Sequence, residues 1–122
     1  VAVGELEENR LRLVIIESPY RGATDAETAE NVEYARACVR DSLAHDEAPI
    51  ASHLLYTQPG ILDDKVAHER RWGINAGLAW RRVADASIVY TDRGISSGMK
   101  YGIEEATRSG VPVEYRKLGG TA

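Results

Sequence analysis

A three-layer α/β sandwich around a parallel sheet of four or five strands is predicted by three observations. Short apolar, β-branched runs stand at Leu11–Glu17, Pro49–Tyr56, Ala86–Tyr90 and Val111–Tyr115. Longer segments with helical spacing separate them, so the order is β-α-β-α-β-α-β. Crossovers of that length require parallel neighbours with helices on the sheet's faces. The expected architecture is flavodoxin- or Rossmann-like, with the first and third strands side by side.

The first run, Leu-Arg-Leu-Val-Ile-Ile-Glu, reads as a strand buried on both faces, and it stops at Ser18-Pro19. Thr24-Asp25-Ala26-Glu27 has capping-box spacing, so a helix is expected from Asp25 to about Ala44. Pro49 to Tyr56 reads as the second strand, closed by the turn Thr57-Gln58-Pro59-Gly60. Asp63 is positioned to cap a helix from Asp64 to about Arg82, which Gly73 and Gly77 weaken by about 1 kcal/mol each relative to alanine. Ala86-Ser87-Ile88-Val89-Tyr90 is the third strand, and Met99 to Arg108 the last helix. Gly110 ends that helix, and Pro112 stands at the start of the final strand, where a missing N–H is tolerated. A single domain over residues 11–118 is expected, with an N-terminal arm at 1–10 and a C-terminal tail at 119–122.

Composition limits the function. An apolar fraction of 43% and a charged fraction of 28% are ordinary for a water-soluble domain, and no apolar run approaches a membrane span. The formal charge of −4 argues against a general nucleic-acid surface, whereas a local basic cluster still suits one small phosphorylated ligand. The single cysteine, Cys38, sits among small apolar residues and reads as an inert buried thiol, in keeping with a reducing cytoplasm. The chain begins with Val1 and carries no charged-then-apolar signal pattern, so its start reads as truncated or processed.

Two loops carry the chemistry. After the first strand come Ser18, Pro19, Tyr20, Arg21 and Gly22, which offer a hydroxyl, a ring, a guanidinium and a flexible glycine at the edge where open α/β sheets bind ligands. After the third strand come Asp92, Arg93, Gly94, Ile95, Ser96, Ser97, Gly98 and Met99, where amides and hydroxyls converge on the positive end of a helix dipole. The alternative is that Gly94 and Gly98 only make the turn while Ser96 or Ser97 only caps the helix. Adjacent first and third strands would bring the two loops together in one crevice with an affinity for anions. Glu17 and Asp92, at the ends of those strands, are the candidate catalytic acids.

Other constellations are weaker. His45, His53 and His68 lie on different elements without metal-ligand spacing, so no metal or other cofactor is expected. His53 alone stands near the crevice edge. No serine occupies a nucleophile-elbow pattern. Arg70-Arg71 and Arg81-Arg82 read as solvated helix faces, with phosphate contact as the alternative. Trp72 and Trp80 read as core or subunit packing, with base stacking as the alternative. Gly73 and Gly77, like Gly98 and Gly102, stand four apart on one helix face, so a helix, a second subunit or a flat ligand should approach closely there.

Taken together, Ser18-Pro19-Tyr20-Arg21-Gly22, Leu78 to Asp85 and Ser96 to Tyr101 resemble motifs of the nucleoside deoxyribosyltransferase-like superfamily, especially its deoxynucleoside monophosphate N-hydrolases. The likeness runs from Leu11 to Tyr115. It is strongest to short phage and bacterial members with the Ser-Pro-Tyr-Arg-Gly and Gly-Ile-Ser-x-Gly-Met motifs. The resemblance implies a parallel sandwich, a homodimer or higher homo-oligomer, and a nucleotide in the crevice. Arg21 and Gly22 match the first phosphate-side loop; Ser96 and Gly98 match the second, whose serine contacts phosphate. The position of the hydrolases' glutamate nucleophile is Gly102 here, and that of their assisting aspartate is Gly77. Glycine has no carboxylate with which to trap an oxocarbenium-like centre. Glu104 lies about 200° further round the helix and cannot substitute.

The expectation is therefore a cytoplasmic binder of a nucleotide or related phosphorylated ribosyl compound. The alternatives are an N-glycosidase or deoxyribosyltransferase that uses Glu17 or Asp92, and a phage-type inhibitory or structural partner protein.

Overall fold

The computed structural model describes residues 10–121. Nine elements follow one another: β1 (Arg12–Glu17), α1 (Asp25–Ala44), β2 (Glu47–Ile50), α2 (Ser52–Leu55), α3 (Ala67–Val83), β3 (Ala86–Tyr90), α4 (Ser97–Arg108), β4 (Val113–Lys117) and β5 (Gly120–Thr121). The sheet order is β2-β1-β3-β4-β5, with β1 to β4 parallel and β5 antiparallel to β4. The predicted α/β sandwich is what forms, and β1 and β3 are neighbours. Glu17 pairs in register with Val89, so the loops that follow β1 and β3 leave the sheet almost side by side.

Alternation along the central strands divides the interior in two. Val14, Ile16, Ala86, Ile88 and Tyr90 face α1 and pack with Tyr34 and Cys38 in one core cluster. Cys38 is fully buried there, and burial pushes its thiol up to about 12. On the opposite face, Ile15, Ser87 and Val89 are covered by α3 and α4, from which Met99, Gly102 and Ala106 are buried. Beside α1 the sheet is covered by charge: Glu47 accepts from Arg116 at 2.8 and 2.9 Å, from Arg12 at 2.7 Å and from Ser42 at 2.8 Å. Arg12 also reaches Glu114 at 2.6 Å.

The boundaries of α1 follow from local chemistry. The Thr24 hydroxyl accepts the Glu27 amide at 3.1 Å, and Glu27 in return accepts the Ala23 amide at 2.7 Å. At the other end Asp46 adopts φ 58°, a left-handed turn that aspartate tolerates, and the chain enters β2.

Three expectations are corrected. The apolar run from Pro49 to Tyr56 is not one strand: β2 spans Glu47–Ile50, and a single helical turn, α2, follows. Short apolar runs suit either state, and here Leu54 reaches the core from the helical turn, its amide bonded to the Ala51 carbonyl at 2.9 Å. Helix α3 begins at Ala67 with Val66 at its cap, because the Asp63 carboxylate is used locally by the Lys65 amide at 2.9 Å. Strand β4 begins at Val113, since the Val111 amide still closes α4 on the Ala106 carbonyl at 2.8 Å. Of the segments set apart in sequence, most of the arm (residues 1–9) lies outside the described residues, while Gly120–Thr121 pairs with β4.

Candidate functional site

A cavity of about 560 Å³ opens where the loops after β1 and β3 meet. From the first loop and its strand it is lined by Glu17, Ser18, Tyr20 and Arg21; from the second by Ser96, Ser97, Gly98 and Met99. His53, Asp64, Arg70, Ile74 and Tyr101 complete the wall. The two loops picked out in sequence therefore share one cavity.

The second loop ends in a cap. The Ser96 hydroxyl accepts the Met99 amide at 3.2 Å, and the Met99 sulfur lies 3.4 Å from the Ser96 amide. Ser97 and Gly98 stand in the first turn of α4, where amides have no partner within the helix, and both line the cavity at the positive end of the helix. Gly98 borders open space: a Cβ there would meet nothing nearer than the Ser96 hydroxyl at 4.0 Å.

Arg21 reaches Asp64 through Nε at 3.1 Å and Nη2 at 2.7 Å, with its guanidinium 5.8 Å from the Tyr20 ring centre. Gly22 does not line the cavity. Its amide donates to the Thr28 hydroxyl at 3.0 Å, and a Cβ there would lie 2.3 Å from that of Glu27, so the loop is pressed onto α1. Arg93 also turns away, its Nε 3.0 Å from the Asn31 side-chain oxygen.

The two candidate acids part company. Glu17 is buried beneath the cavity and ion-paired with Arg81. Burial pushes its carboxyl above the usual carboxylate range, and Arg81 opposes that shift. Asp92 is not brought to the cavity: its carboxylate accepts the Tyr34 hydroxyl at 2.6 Å and the Leu118 amide at 3.2 Å, tying the β4–β5 turn to α1. Burial works against the Asp92 carboxylate, but these bonds hold its pKa below the usual value. Position at a strand end fixes the edge of the sheet, and not the side to which a loop residue turns.

Sequence reasoning missed two residues. Arg81 read as half of a solvated pair, yet only Arg82 is exposed; a glutamate ending a strand buried on both faces was the available sign that a cation must come to it. Asp64 gave no local signal as the partner of Arg21. His53 does reach the cavity, its Nε2 3.1 Å from the Ser18 hydroxyl and its ring 5.7 Å from that of Tyr20. Burial lowers its pKa to about 4, so the imidazole is neutral at pH 7.

The helix glycines are approached by the chain's own side chains. A Cβ at Gly102 would lie 2.4 to 2.7 Å from the Glu17 carboxylate, one at Gly77 3.0 Å from the Ser52 hydroxyl, and one at Gly73 3.2 Å from Leu62. The volume above Gly102 is thus filled by a carboxylate that comes from β1. Trp72 and Trp80 lie outside the core, 59% and 44% exposed, and the Trp80 indole donates to the Tyr56 hydroxyl at 2.8 Å. Among the described residues no group of three acidic, histidine or cysteine side chains is arranged to hold a metal, and no helix is long and apolar enough to cross a membrane.

No curated protein matches the chain. Among solved structures, it is similar in fold to a 2-deoxyribosyltransferase from the psychrotolerant bacterium Bacillus psychrosaccharolyticus, with a TM-score of 0.61 and 15% identity over 90% of this chain and 76% of that one. Strands β1 and β3, whose pairing brings the two loops together, lie within residues 12–116, and this stretch matches the family model described as a domain of unknown function, DUF7768, the family to which the chain belongs.

Proposed function

We propose that the crevice binds a nucleotide or a related phosphorylated ribosyl small molecule, without glutamate chemistry from α4. The observation that carries the reading is that Arg21, Arg70 and the first turn of α4 line one cavity of about 560 Å³. That volume is within the range of small-molecule sites, and guanidinium groups with a helix N-terminus suit a phosphate. The likeness of fold to a nucleoside-processing enzyme supports the same ligand class. Titration calorimetry with nucleoside 5′-monophosphates tests it: heat is expected from at least one, and Arg21→Ala should weaken binding at least about tenfold, the cost of a charge-assisted contact. A panel that gives no heat ends the proposal and favours a phage-type inhibitory or structural partner protein.

A second reading, N-glycosidase or deoxyribosyl transfer, rests on the buried carboxylate of Glu17 at the cavity floor. It requires free base to be released from a nucleoside monophosphate by the wild type and not by Glu17→Gln. Asp92, tied to Tyr34 and Leu118, has no part in that reading. For either reading the setting we propose is a bacterial cytoplasm, with the chain phage-encoded, on the resemblance of its two loop motifs to those of phage and bacterial proteins. Self-association belongs to the same proposal, with the exposed Leu13, Trp80 and Val83 around an apolar groove as the face that a second copy would cover. Sedimentation at the monomer mass across the micromolar range would remove it.

A further inference from the structure

Resting on the binding reading above, we propose that the Arg21–Asp64 ion pair is an exchangeable latch. An incoming phosphate takes Arg21 from the Asp64 carboxylate and so frees the connection between α2 and α3, residues 57–66, from the crevice.

Tyr20, Arg21 and Asp64 line two cavities at once: the crevice of about 560 Å³ and a second of about 650 Å³ beneath the 57–66 connection. The ion pair is therefore the partition between them. The other polar bonds of the connection are local: Thr57 hydroxyl to His53 carbonyl, Gln58 side-chain amide to Leu54 carbonyl at 2.6 Å, Ile61 amide to Gln58 carbonyl at 3.0 Å, Val66 amide to Asp63 carbonyl at 3.0 Å, Lys65 amide to Asp63 carboxylate at 2.9 Å, Asp63 amide to Glu69 at 3.0 Å and Arg70 amide to Val66 carbonyl at 2.9 Å. Among the described residues, Arg21 is its one polar tie to the loop after β1.

The tie is suited to exchange. Both bonds go to a single oxygen, Oδ2, and so leave the two-oxygen match that a guanidinium prefers unused, which a phosphate can supply. The Arg21 side chain is 40% exposed, so the approaching anion need not unfold anything to reach it, while Asp64 is 17% exposed and the pair is solvated from the Arg21 side, which weakens its hold. Once the phosphate is seated, Asp64, which lines the crevice, faces a like charge, which drives the connection outward. A neutral nucleoside offers Arg21 nothing in exchange. The latch thus makes opening conditional on a phosphoryl group.

Lys65 lies exposed in the connection and provides a tryptic site that reports its release. Limited trypsin digestion of the full chain, followed by mass spectrometry, should show cleavage after Lys65 accelerated by inorganic phosphate and by a bound nucleoside 5′-monophosphate, but not by the neutral nucleoside. Arg21→Gln, which breaks the pair and leaves the sequence around Lys65 unaltered, should be cut there at the fast rate without ligand, with no further acceleration, and Asp64→Asn, which frees Arg21, should bind the monophosphate about threefold more tightly. The latch is overturned if Arg21→Gln is cut at the wild-type rate, or if a monophosphate that gives heat with the wild type leaves the rate unchanged. If the wild type takes up no probe, the binding reading fails separately. The ligand-free comparison still decides whether the pair holds the connection, and an Asp64→Asn protein that is also silent in calorimetry overturns the exchange.

Discussion

At Gly102 the absence of a single methyl group decides whether Glu17 can lie where it does. A methyl there would fall within 2.4 to 2.7 Å of a carboxylate that is itself locked to Arg81, so neither partner can yield cheaply. Gly102→Ala should cost about 1–3 kcal/mol, the range for overpacking, whereas Gly98→Ala, which meets only open space, should be neutral or gain up to about 1 kcal/mol from helix propensity. Chemical denaturation of the two variants, read side by side, checks this. His53 gives a prediction in pH. Its folded pKa of about 4 lies below the ordinary 6.5, so the unfolded chain binds the proton more readily. The stability that neutral His53 contributes is present in full above pH 6.5 and is lost as pH falls through about 4. An NMR titration should find this ring midpoint near 4, and His53→Gln should flatten that part of the stability curve.

Among the elements, α1 and β3 were legible because their limits are written locally: Thr24 and Glu27 cap the one, and the other is a short run, polar only at Ser87, between an acid and a threonine. The stretch from Pro49 to Tyr56 was not, since a helical turn and a strand present the same apolar residues over so short a span. The two loops of the site were visible as loops, and their meeting followed from strand order. Their partners were not visible. Arg81 is 64 residues from Glu17 and Asp64 is 43 from Arg21, and no local pattern encodes such pairings. The ion network on β1, β2 and β4 yields a test at this scale. Glu47 is held down to about 2, chiefly by Arg116, against an ordinary 4.5. The stability it contributes is present above pH 4.5 and is lost as pH falls toward 2. Glu47→Gln should cost about 3 kcal/mol at neutral pH, the scale for breaking a buried pair, and should remove that acid limb from a urea-denaturation series.

For the molecule as a whole, the net charge of −4 contrasts with the crevice, where Arg21, Arg70 and a helix N-terminus gather. Under the proposed binding reading, anions would be repelled at a distance and met by cations at one opening, a balance that favours a compact ligand over a polymer. One flank of the sheet has a further consequence. Strand β2 lies at the margin and carries Pro49 midway along its four residues, paired with Val14 on the inner side. A proline withholds the amide that an arriving strand would need, so chain-on-chain accretion along this rim is interrupted at its midpoint. Crowded copies released from a ribosome therefore have a poor template for ribbon-like growth there, and contact on this side is left to side chains rather than to backbone.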